Sequence, residues 1–561
     1  MLDKLPASVI QQIGRYLRAW TYSQPSLQSY AHTCRRIYPL VIRQAYEYFS
    51  LSDVLLPSTL HHPSSWLPRF AAVQRHLTRV LISDSPKIPA EIWENALQEL
   101  EKLQWSHVRM LSFEIDGIRN EGNVASMLVG FAKRHLAHVD ELWLGVDGRL
   151  RFFDPANDPS DAFSRVTELR VIGRYSDTPP PATRDTLAQM PRLATVHLDA
   201  SACLLTTMGD LVSRQHETLS VLSIDAYSAA LAHTLRLSSE SPWLSYPALH
   251  KLTLSIAHTF ANLLDSRRVP RLALLSSSHA HYPVSARGVH LLRDRPETLL
   301  AGQRFAGLRV LAVDALTLGD VHALGASAGH SLDALSVGGL FADVQLADEA
   351  QGSSEDFTPA VCMDAPTMAH VLRTCPALSD LRLLVPPAYE DAYNGTPAPA
   401  TPTCVFERPP MAAPVVWPGH QALRHVCVHA WAMTFDQALM LARSLPQLLS
   451  LDWVLRMAHA SDGLMDVGRG DGGRLAHVSV AHTVAVRLKH AFKAALLRFA
   501  AALQGPLRVL DVYGGLDVLG LAGAVGRVCP GCTATFYPLV PSWADTATSE
   551  EEGDDDDGGG G

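Results

Sequence analysis

The sequence predicts an α/β repeat protein, in which short strands and helices alternate along most of the chain. Three observations predict it: a returning pattern of the form L-x-x-L-x-L, a nearly constant spacing between its copies, and a proline just before several of them. The copies centred on residues 142, 169, 196, 222 and 252 are separated by 27, 27, 26 and 30 residues. A period of this length is typical of a solenoid, whose repeats pack against their neighbours.

Composition limits the classes of protein to which the chain can belong. Hydrophobic residues make up 47% of the 561 residues and charged residues 18%, so most of the chain can bury a core. The net charge is −9, but seven acids lie in the last dozen residues, so the rest carries −9 + 7 = −2. A nearly neutral body excludes a broad nucleic-acid surface. No apolar run is long enough to span a bilayer, so we expect neither a nucleic-acid nor a membrane partner.

The first fifty residues contain three short amphipathic patterns. The first follows Leu5 and Pro6, and its apolar residues recur at helical spacing: Val9, Ile10, Ile13, Tyr16 and Leu17. Pro6 suits a first helical turn, where a missing N–H costs little. Two further patterns occupy residues 27–34 and 36–48. Three such helices form a marginal core, so we expect a partner or a neighbouring domain to cover their apolar face.

This N-terminal segment resembles the F-box. The match lies in Leu-Pro, the spaced apolar helix and the cluster Thr33-Cys34-Arg35-Arg36, and it covers roughly residues 3–48, within a helical domain predicted at residues 1–48. Ser8 stands where the family often carries Glu. The resemblance implies that the segment binds a Skp-family adaptor and, through it, a cullin scaffold. The adaptor-binding residues that it implies are Leu5, Pro6, Ile10, Ile13, Leu17, Cys34 and Arg35.

The repeats are predicted to fill residues 49–540. The nine clear copies of the pattern begin at Leu193, Leu219, Leu249, Leu308, Leu332, Leu378, Leu423, Leu475 and Leu507. Five weaker copies centre on Val80, Leu111, Leu142, Leu169 and Leu451. A proline stands two residues before the leading leucine at positions 191, 247, 376 and 446, where it ends the preceding helix and favours extended backbone. By the same rule Pro270 and Leu272 mark a degenerate copy.

The repeats resemble the leucine-rich repeats that follow many F-boxes. The regular family has Asn or Cys three residues beyond the last apolar anchor, and here that position holds varied residues such as Ser201, Tyr227 and Trp431. We therefore expect an irregular, leucine-rich-repeat-like α/β solenoid after a three-helix F-box. Conventional βαβ units remain the alternative, because they share the alternation of short strands and helices.

Three segments break the repeat pattern. Residues 341–358 are acidic and polar, and residues 386–420 are rich in proline, so both are predicted to be loop insertions. Residues 541–561 end in a charge run and four glycines, which predicts a disordered acidic tail. No signal peptide is expected from the first residues, and the eight scattered cysteines are typical of reduced thiols. Both observations favour the cytoplasm or the nucleus.

Three motifs could carry chemistry, and each has a plainer structural interpretation that we favour. Cys529-Pro-Gly-Cys532 is half a metal site or a redox pair, or simply a turn. His425, Cys427 and His429 share a strand face but span too great a length to bind one ion. Residues 487–503 are an amphipathic helix, which suits a repeat helix or a membrane-surface helix. We therefore expect no catalytic residues, metal or cofactor, and no enzyme.

The outward positions of the strands are the predicted binding surface. Asp199, Asp225 and Asp314 occupy equivalent places after a repeat strand, and each is followed by Ala. They cap the following turns through their own backbone, or they form an acidic row that binds a basic segment of a client protein.

The modules together predict a non-catalytic substrate-recognition subunit of an SCF-type E3 ubiquitin ligase, in which the solenoid holds a client. The alternative is an F-box-containing interaction scaffold without a role in ubiquitin transfer. A third class, an enzyme with an unrecognised site, would be favoured by a buried cluster of titratable groups with shifted pKa values.

Overall fold

We analysed a computed structural model of the chain. The structure describes residues 47–55, 74–83, 88–115, 123–146, 163–173, 192–199, 215–225, 245–254, 266–277, 302–341, 365–383, 420–455, 474–482, 489–503, 506–513 and 521–537, and single positions 7, 10, 11, 13, 41, 67, 71, 190 and 300. Most of the predicted three-helix segment, the predicted loop insertions except their end residues Phe341 and His420, and the predicted tail lie outside these residues.

Contacts divide the chain into two compact units, although the repeats were predicted as one segment. Unit 1 contains Met1–Ser255 and Asn262–Leu272, and unit 2 contains Ile256–Ala261 and Ala273–Gly561. Within each unit, parallel strands follow one another in chain order, and helices connect several of them, in a solenoid-like α/β arrangement.

Unit 1 contains eight described strands, each pairing in parallel with the next. They are β1 (Tyr48–Ser50), β2 (Arg79–Ser83), β3 (Met110–Ile115), β4 (Glu141–Val146), β5 (Glu168–Gly173), β6 (Thr195–Asp199), β7 (Val221–Asp225) and β8 (Lys251–Leu254). The described helices of the unit are α1 (Leu51–Leu55), α2 (Ala90–Leu100), α3 (Asn123–His135) and the single 3₁₀ turn Gln74–His76.

Unit 2 contains nine described strands, again parallel and in chain order. They are β9 (Leu274–Ser277), β10 (Val310–Thr317), β11 (Ala334–Phe341), β12 (Asp380–Leu383), β13 (His425–Met433), β14 (Ser450–Leu455), β15 (His477–His482), β16 (Val509–Tyr513) and β17 (Thr533–Tyr537). Its described helices are α4 (Leu318–Ser327), α5 (Ala365–Thr374), α6 (Phe435–Ser444), α7 (Lys489–Ala502) and α8 (Leu521–Val528). In the described ranges, no helix has the length and apolar character needed to cross a membrane.

All fourteen predicted pattern centres lie in strands, and the degenerate copy at Leu272 precedes β9. Inward residues alternate with outward ones, as in β8, where Leu252 and Leu254 are buried and Lys251 and Thr253 are half-exposed. Strand side chains point alternately to opposite faces, so one face of each strand joins the core and the other remains accessible. The sequence pattern therefore predicted which face of the repeat is buried.

A repeated backbone arrangement fixes the register between strands. The carbonyl of the residue before one strand accepts two amides from the start of the next strand. The carbonyl of Asp140, for example, accepts from Thr167 and Glu168 at 2.8 and 3.2 Å. The same pair of hydrogen bonds recurs in unit 2, where the Arg424 carbonyl accepts from Leu449 and Ser450 at 2.7 and 3.0 Å. Because each repeat satisfies the start of the next, equivalent residues fall side by side.

The prolines before the strands lie in turns, not in extended backbone as the sequence analysis expected. In Tyr246-Pro-Ala-Leu249 the Leu249 amide donates to the Tyr246 carbonyl at 3.2 Å. The segments that begin at Val269, Cys375 and Leu445 close with the same hydrogen bond, at 3.0–3.2 Å. Proline suits the second position of such a turn because its fixed φ already matches the required geometry. It still ends the helices, since α5 and α6 stop just before Pro376 and Pro446.

Two strands of unit 2 run directly into helices through a threonine. Thr317 caps α4, and its hydroxyl accepts the Asp320 amide at 3.1 Å while the Asp320 carboxylate accepts the Thr317 amide. Thr434 and Gln437 cap α6 in the same way. Each arrangement satisfies amides that the first helical turn leaves without partners. Asp320 is fully buried and also accepts the Leu300 amide, so it ties the segment before β10 to the start of α4.

Aromatic side chains fill the layer between helices and strands in unit 2. Phe435 of α6 lies 5.1 Å from Phe499 of α7 and 6.2 Å from Trp453 of β14, measured between ring centroids. Phe492, Leu496, Phe499 and Leu503 are buried as predicted, while Lys493 and Arg498 are exposed. This burial confirms the predicted repeat helix over its described part, Lys489–Ala502.

Helices α4 and α5 approach closely at two glycines. A Cβ atom added to Gly325 would lie 2.6 Å from Cβ of Thr374, and one added to Gly329 would lie 2.3 Å from the Thr374 carbonyl oxygen. Both distances are shorter than real carbon contacts allow. Glycine at position 325 of α4 and at position 329 in the turn after it therefore permits this close approach to α5.

We predict that Gly325→Ala destabilises unit 2. Alanine favours a helix by about 1 kcal/mol over glycine, but the overlap with Thr374 costs up to about 3 kcal/mol. The net loss is up to about 2 kcal/mol, so we expect the melting temperature to fall by up to about 4 °C. Gly523→Ala in α8 is the matched control, because its added Cβ would meet no atom closer than 3.9 Å. We expect that control to leave the melting temperature unchanged or slightly raised. An equal response of the two variants would contradict the close packing at Gly325.

Candidate functional site

The outward residues of β4, β5 and β6 form a polar face in unit 1. Register places Trp143 beside Arg170 and Arg170 beside His197. All three side chains are half-buried. A parallel row of this kind follows directly from the fixed register, because neighbouring strands lie about 4.8 Å apart. We call Trp143, Arg170, His197, Glu168 and Lys251 the unit-1 face.

A cation–π contact holds the centre of the unit-1 face. The Arg170 guanidinium lies over the Trp143 indole, with Cζ 4.7 Å from the ring centroid. When the flat face of a guanidinium stacks on an aromatic ring, its N–H donors point outward from the guanidinium edge and stay available. The contact therefore orients Arg170 without using its hydrogen-bonding capacity.

His197 lies between charged neighbours of both signs. Its Nε2 is 3.7 Å from Oε1 of Glu168, too long for a hydrogen bond. Burial lowers the pKa of His197, and the positive charges of Arg170 and Lys251 lower it further. The ring therefore favours its neutral form, in which one nitrogen donates and the other accepts.

Glu141 lies in register with Glu168 at the start of the same strands. Burial raises the pKa of Glu141, the Glu168 carboxylate raises it further, and Arg79 opposes both effects. Two neighbouring carboxylates cannot both ionise without cost, so Glu141 holds its proton to a higher pH than usual.

A second polar face runs across β13 to β16 in unit 2. The Ser450 hydroxyl lies 3.4 Å from Nδ1 of His477, whose Nε2 is 3.1 Å from Oδ2 of Asp511. On the adjoining row the Cys427 thiol donates to Asp452 at 3.6 Å. These contacts orient the His477 ring between a hydroxyl and a carboxylate. Val426 and Val428 are buried as predicted, so the alternation along β13 is confirmed there.

The predicted turn at Cys529-Pro-Gly-Cys532 is confirmed. The Cys532 amide donates to the Cys529 carbonyl at 3.1 Å, Gly531 has φ +89°, and β17 follows. The turn matches those at the other repeat starts, with Cys532 in place of the leading leucine. Burial raises the pKa of the Cys532 thiol to about 11, with smaller contributions from Cys529 and Asp511. Burial also raises the pKa of the Cys375 thiol to about 11. Both thiols stay protonated and poorly nucleophilic at neutral pH.

Backbone register brings together two of the three predicted client-binding aspartates. Asp199 at the end of β6 pairs in register with Asp225 at the end of β7. Asp314 lies in β10, which belongs to unit 2. The side chains of all three fall outside the described part of the chain, so their role stays a prediction.

Of the predicted adaptor-binding residues, the structure describes Ile10 and Ile13. Both have helical backbone, as do Ala7, Gln11 and Val41. Ile10 and Val41 are fully buried within the chain, whereas Ile13 is half-exposed and Ala7 is exposed. Leu5, Pro6, Leu17, Cys34 and Arg35 lie outside the described residues. The adaptor-binding surface stays a prediction, and Ile13 is its described member with an accessible side chain.

Sequence analysis did not identify the unit-1 face. A usable signal was present, because Trp143, Arg170 and His197 each stand between two buried apolar residues of a copy of the pattern. Trp and Arg in such outward positions of neighbouring copies indicate a contact surface.

Comparisons with known proteins assign no family to the chain. No family model matches it, and no curated protein matches its sequence. Among solved structures, the crystal structure of the Rad7 and Elc1 complex in yeast is similar over 80% of this chain and 88% of that chain, with 11% identity and a TM-score of 0.29. A TM-score of this size does not indicate a shared architecture or function. Within the described ranges, no group of three or more His, Cys, Asp or Glu residues could hold a metal ion.

We predict that His197 makes the stability of the chain depend on pH. Its lowered pKa means that the unfolded chain binds a proton at this position at a pH where the folded chain does not. Stability is therefore lost as the pH falls from about 6.5, the unfolded value, toward the lower folded value. We expect His197→Gln to lose less stability than the wild type between pH 7.5 and pH 5.5 in urea unfolding. His107→Gln, which changes an exposed histidine of the same unit, should follow the wild type. Parallel pH curves for wild type and His197→Gln would contradict the argument.

Proposed function

We propose that the chain is the non-catalytic substrate-recognition subunit of an SCF-type E3 ubiquitin ligase. The observation that carries the proposal is the order of two modules: an F-box-like motif at residues 1–48, followed by repeats with accessible outward faces. The motif would bind a Skp-family adaptor and, through it, a cullin. The repeats would bind a client protein. Such a complex would work in the cytoplasm or the nucleus.

Two features of the described residues support this proposal. Helical backbone at Ala7, Ile10, Gln11 and Ile13 agrees with the first helix of the motif. The half-exposed side chain of Ile13 leaves apolar surface that a partner could cover. Covering such surface is favourable by roughly 25 cal/mol per Å².

The mechanism that we propose is proximity. A client held on the repeats would meet a charged ubiquitin-conjugating enzyme docked elsewhere in the complex at high effective concentration. The conjugating enzyme would then carry out the ubiquitin chemistry, and this chain would only position the client. The raised pKa values of the Cys375 and Cys532 thiols are consistent with such a role, because neither thiol is activated.

We further propose that Asp199, Asp225 and Asp314 take part in client binding. Asp199 and Asp225 occupy neighbouring register positions. Two carboxylates at such positions repel unless water, a cation or a basic client side chain neutralises them. A Lys- or Arg-rich client segment would supply that charge, with Arg favoured for bidentate contacts.

The alternative is an interaction scaffold whose F-box-like segment serves another complex. The two functions differ in whether a cullin joins the complex together with the adaptor. Adaptor binding without a cullin would favour the scaffold.

We predict that Ile13→Asp abolishes capture of a Skp-family adaptor. Burying an unpaired carboxylate at an apolar interface costs several kcal/mol, which lowers the affinity by about a hundredfold or more. The repeats should keep their melting temperature, because Ile13 is half-exposed and precedes them. Ala7→Asp is the matched control: it adds the same charge to the same helical segment at an exposed position. Adaptor capture should survive in the control. Unchanged capture by Ile13→Asp would refute the F-box assignment.

A further inference from the structure

We propose that the unit-1 face binds a carboxylate group of an acidic peptide segment, with Arg170 as the residue that contacts it. The inference rests on the proposed function only in taking the peptide to be part of a client. It adds a requirement for an acidic residue beside the basic ones that Asp199 and Asp225 would bind. Arg170 pairs in register with His197, and Asp199 lies two residues after His197 on the same strand. The Arg170 and Asp199 positions are therefore close together on neighbouring strands.

The first argument is that Arg170 has unused hydrogen-bond donors. Among the residues that the structure describes, none accepts a hydrogen bond from its guanidinium or forms an ion pair with it, and its contact is the Trp143 ring. A guanidinium carries five N–H donors and binds a carboxylate through two parallel hydrogen bonds. A ligand carboxylate therefore gains binding free energy at this half-buried guanidinium, because its donors have no acceptor among the described residues.

The second argument is preorganisation. The Trp143 ring restricts the guanidinium to one plane, and both side chains extend from paired strands whose backbone is fixed by register. A ligand that binds an already oriented arginine loses little further side-chain entropy. The indole also supplies apolar surface for the aliphatic part of an Asp or Glu side chain. Trp143 Nε1 is buried and lacks a hydrogen-bond partner among the described residues, so it is a further donor near the face.

The third argument is the local charge. Burial is the main cause of the lowered pKa of His197, and the positive charges of Arg170 and Lys251 lower it further, so both cations act on the same ring. The described residues include no ion-pair partner for Lys251 either. His197 itself favours the neutral form, in which it can donate one hydrogen bond to a carboxylate without adding charge.

The neighbouring carboxylates form no ion pair with Arg170 or Lys251 among the described residues. Glu168 lies 3.7 Å from His197 and makes no ion pair with Arg170. Glu141 lies beside Glu168 in register and, among the described residues, makes no ion pair with Arg170 either. The same two acids disfavour a polyanion such as nucleic acid, whose successive phosphates would meet them. A segment with one acidic side chain at the arginine fits better than a dense row of phosphates.

The test is a peptide titration followed by fluorescence anisotropy at low salt. The probe is a labelled Gly-Ser peptide with one central glutamate, and its counterpart carries a glutamine instead. We expect the full chain to bind the glutamate peptide and not the glutamine one. Arg170→Gln should weaken binding by about tenfold or more, because a charge-assisted pair is lost. Lys251→Gln should weaken it less. Arg165→Gln is the matched control, since it removes the same charge from an exposed turn of the same unit and should change nothing.

Three further measurements make the result decisive. Arg170→Lys keeps the charge but loses the planar fork and the stacking, so it should bind weakly while its melting temperature stays near that of the wild type. Equal binding of the two peptides, or equal losses in Arg170→Gln and Arg165→Gln, would overturn the proposal. Binding that occurs only after removal of residues 545–561 would also overturn it, because the chain's own acidic tail would then be the occupant. Ile13→Asp should still bind the probe, so that loss of adaptor capture and loss of peptide binding report on separate proposals.

Discussion

The carbonyl that accepts two amides at most of the described repeat starts is the interaction on which the rest of the structure depends. It holds each strand in a single register with the next, at Asp140 in unit 1 and at Arg424 in unit 2 alike. The buried apolar residues of the pattern act with it, because a slip by one residue would turn them to the surface. Register then decides which outward side chains meet, and through them what each face can bind.

The same backbone scheme produces different surfaces in the two units. In unit 1 the rows bring together a tryptophan, an arginine and a histidine, and the arginine keeps its donors available. In unit 2 the rows bring His477 between Ser450 and Asp511, where its nitrogens are already occupied. A ligand therefore gains more binding free energy at the unit-1 face than at the His477 row, because binding at the unit-1 face need not break an internal hydrogen bond. Fold and function are separable here, because the outward residues can vary without changing the buried pattern.

Sequence reasoning predicted the strands well and their chemistry poorly. Leucine spacing identified every strand from β2 to β16, since inward residues must be apolar whatever the repeat binds. It could indicate that Trp143 and Arg170 occupy equivalent outward positions, but not that the guanidinium stacks on the indole, because side-chain orientation is not encoded in the apolar spacing. The capping pairs Thr317–Asp320 and Thr434–Gln437 could have been found from their spacing. The close approach of α4 and α5 at Gly325 could not, since it depends on residues almost fifty positions apart.

The account joins an adaptor-binding segment to a client-binding array, and that division is its central claim. The measurement that tests it most directly is affinity capture of the full chain and of a chain lacking residues 1–48, with bound proteins identified by mass spectrometry. The account predicts that the full chain captures a Skp-family adaptor together with a cullin, and that the shortened chain loses both but keeps its client. Capture of the adaptor by the shortened chain, or of the adaptor without a cullin by the full chain, would contradict it.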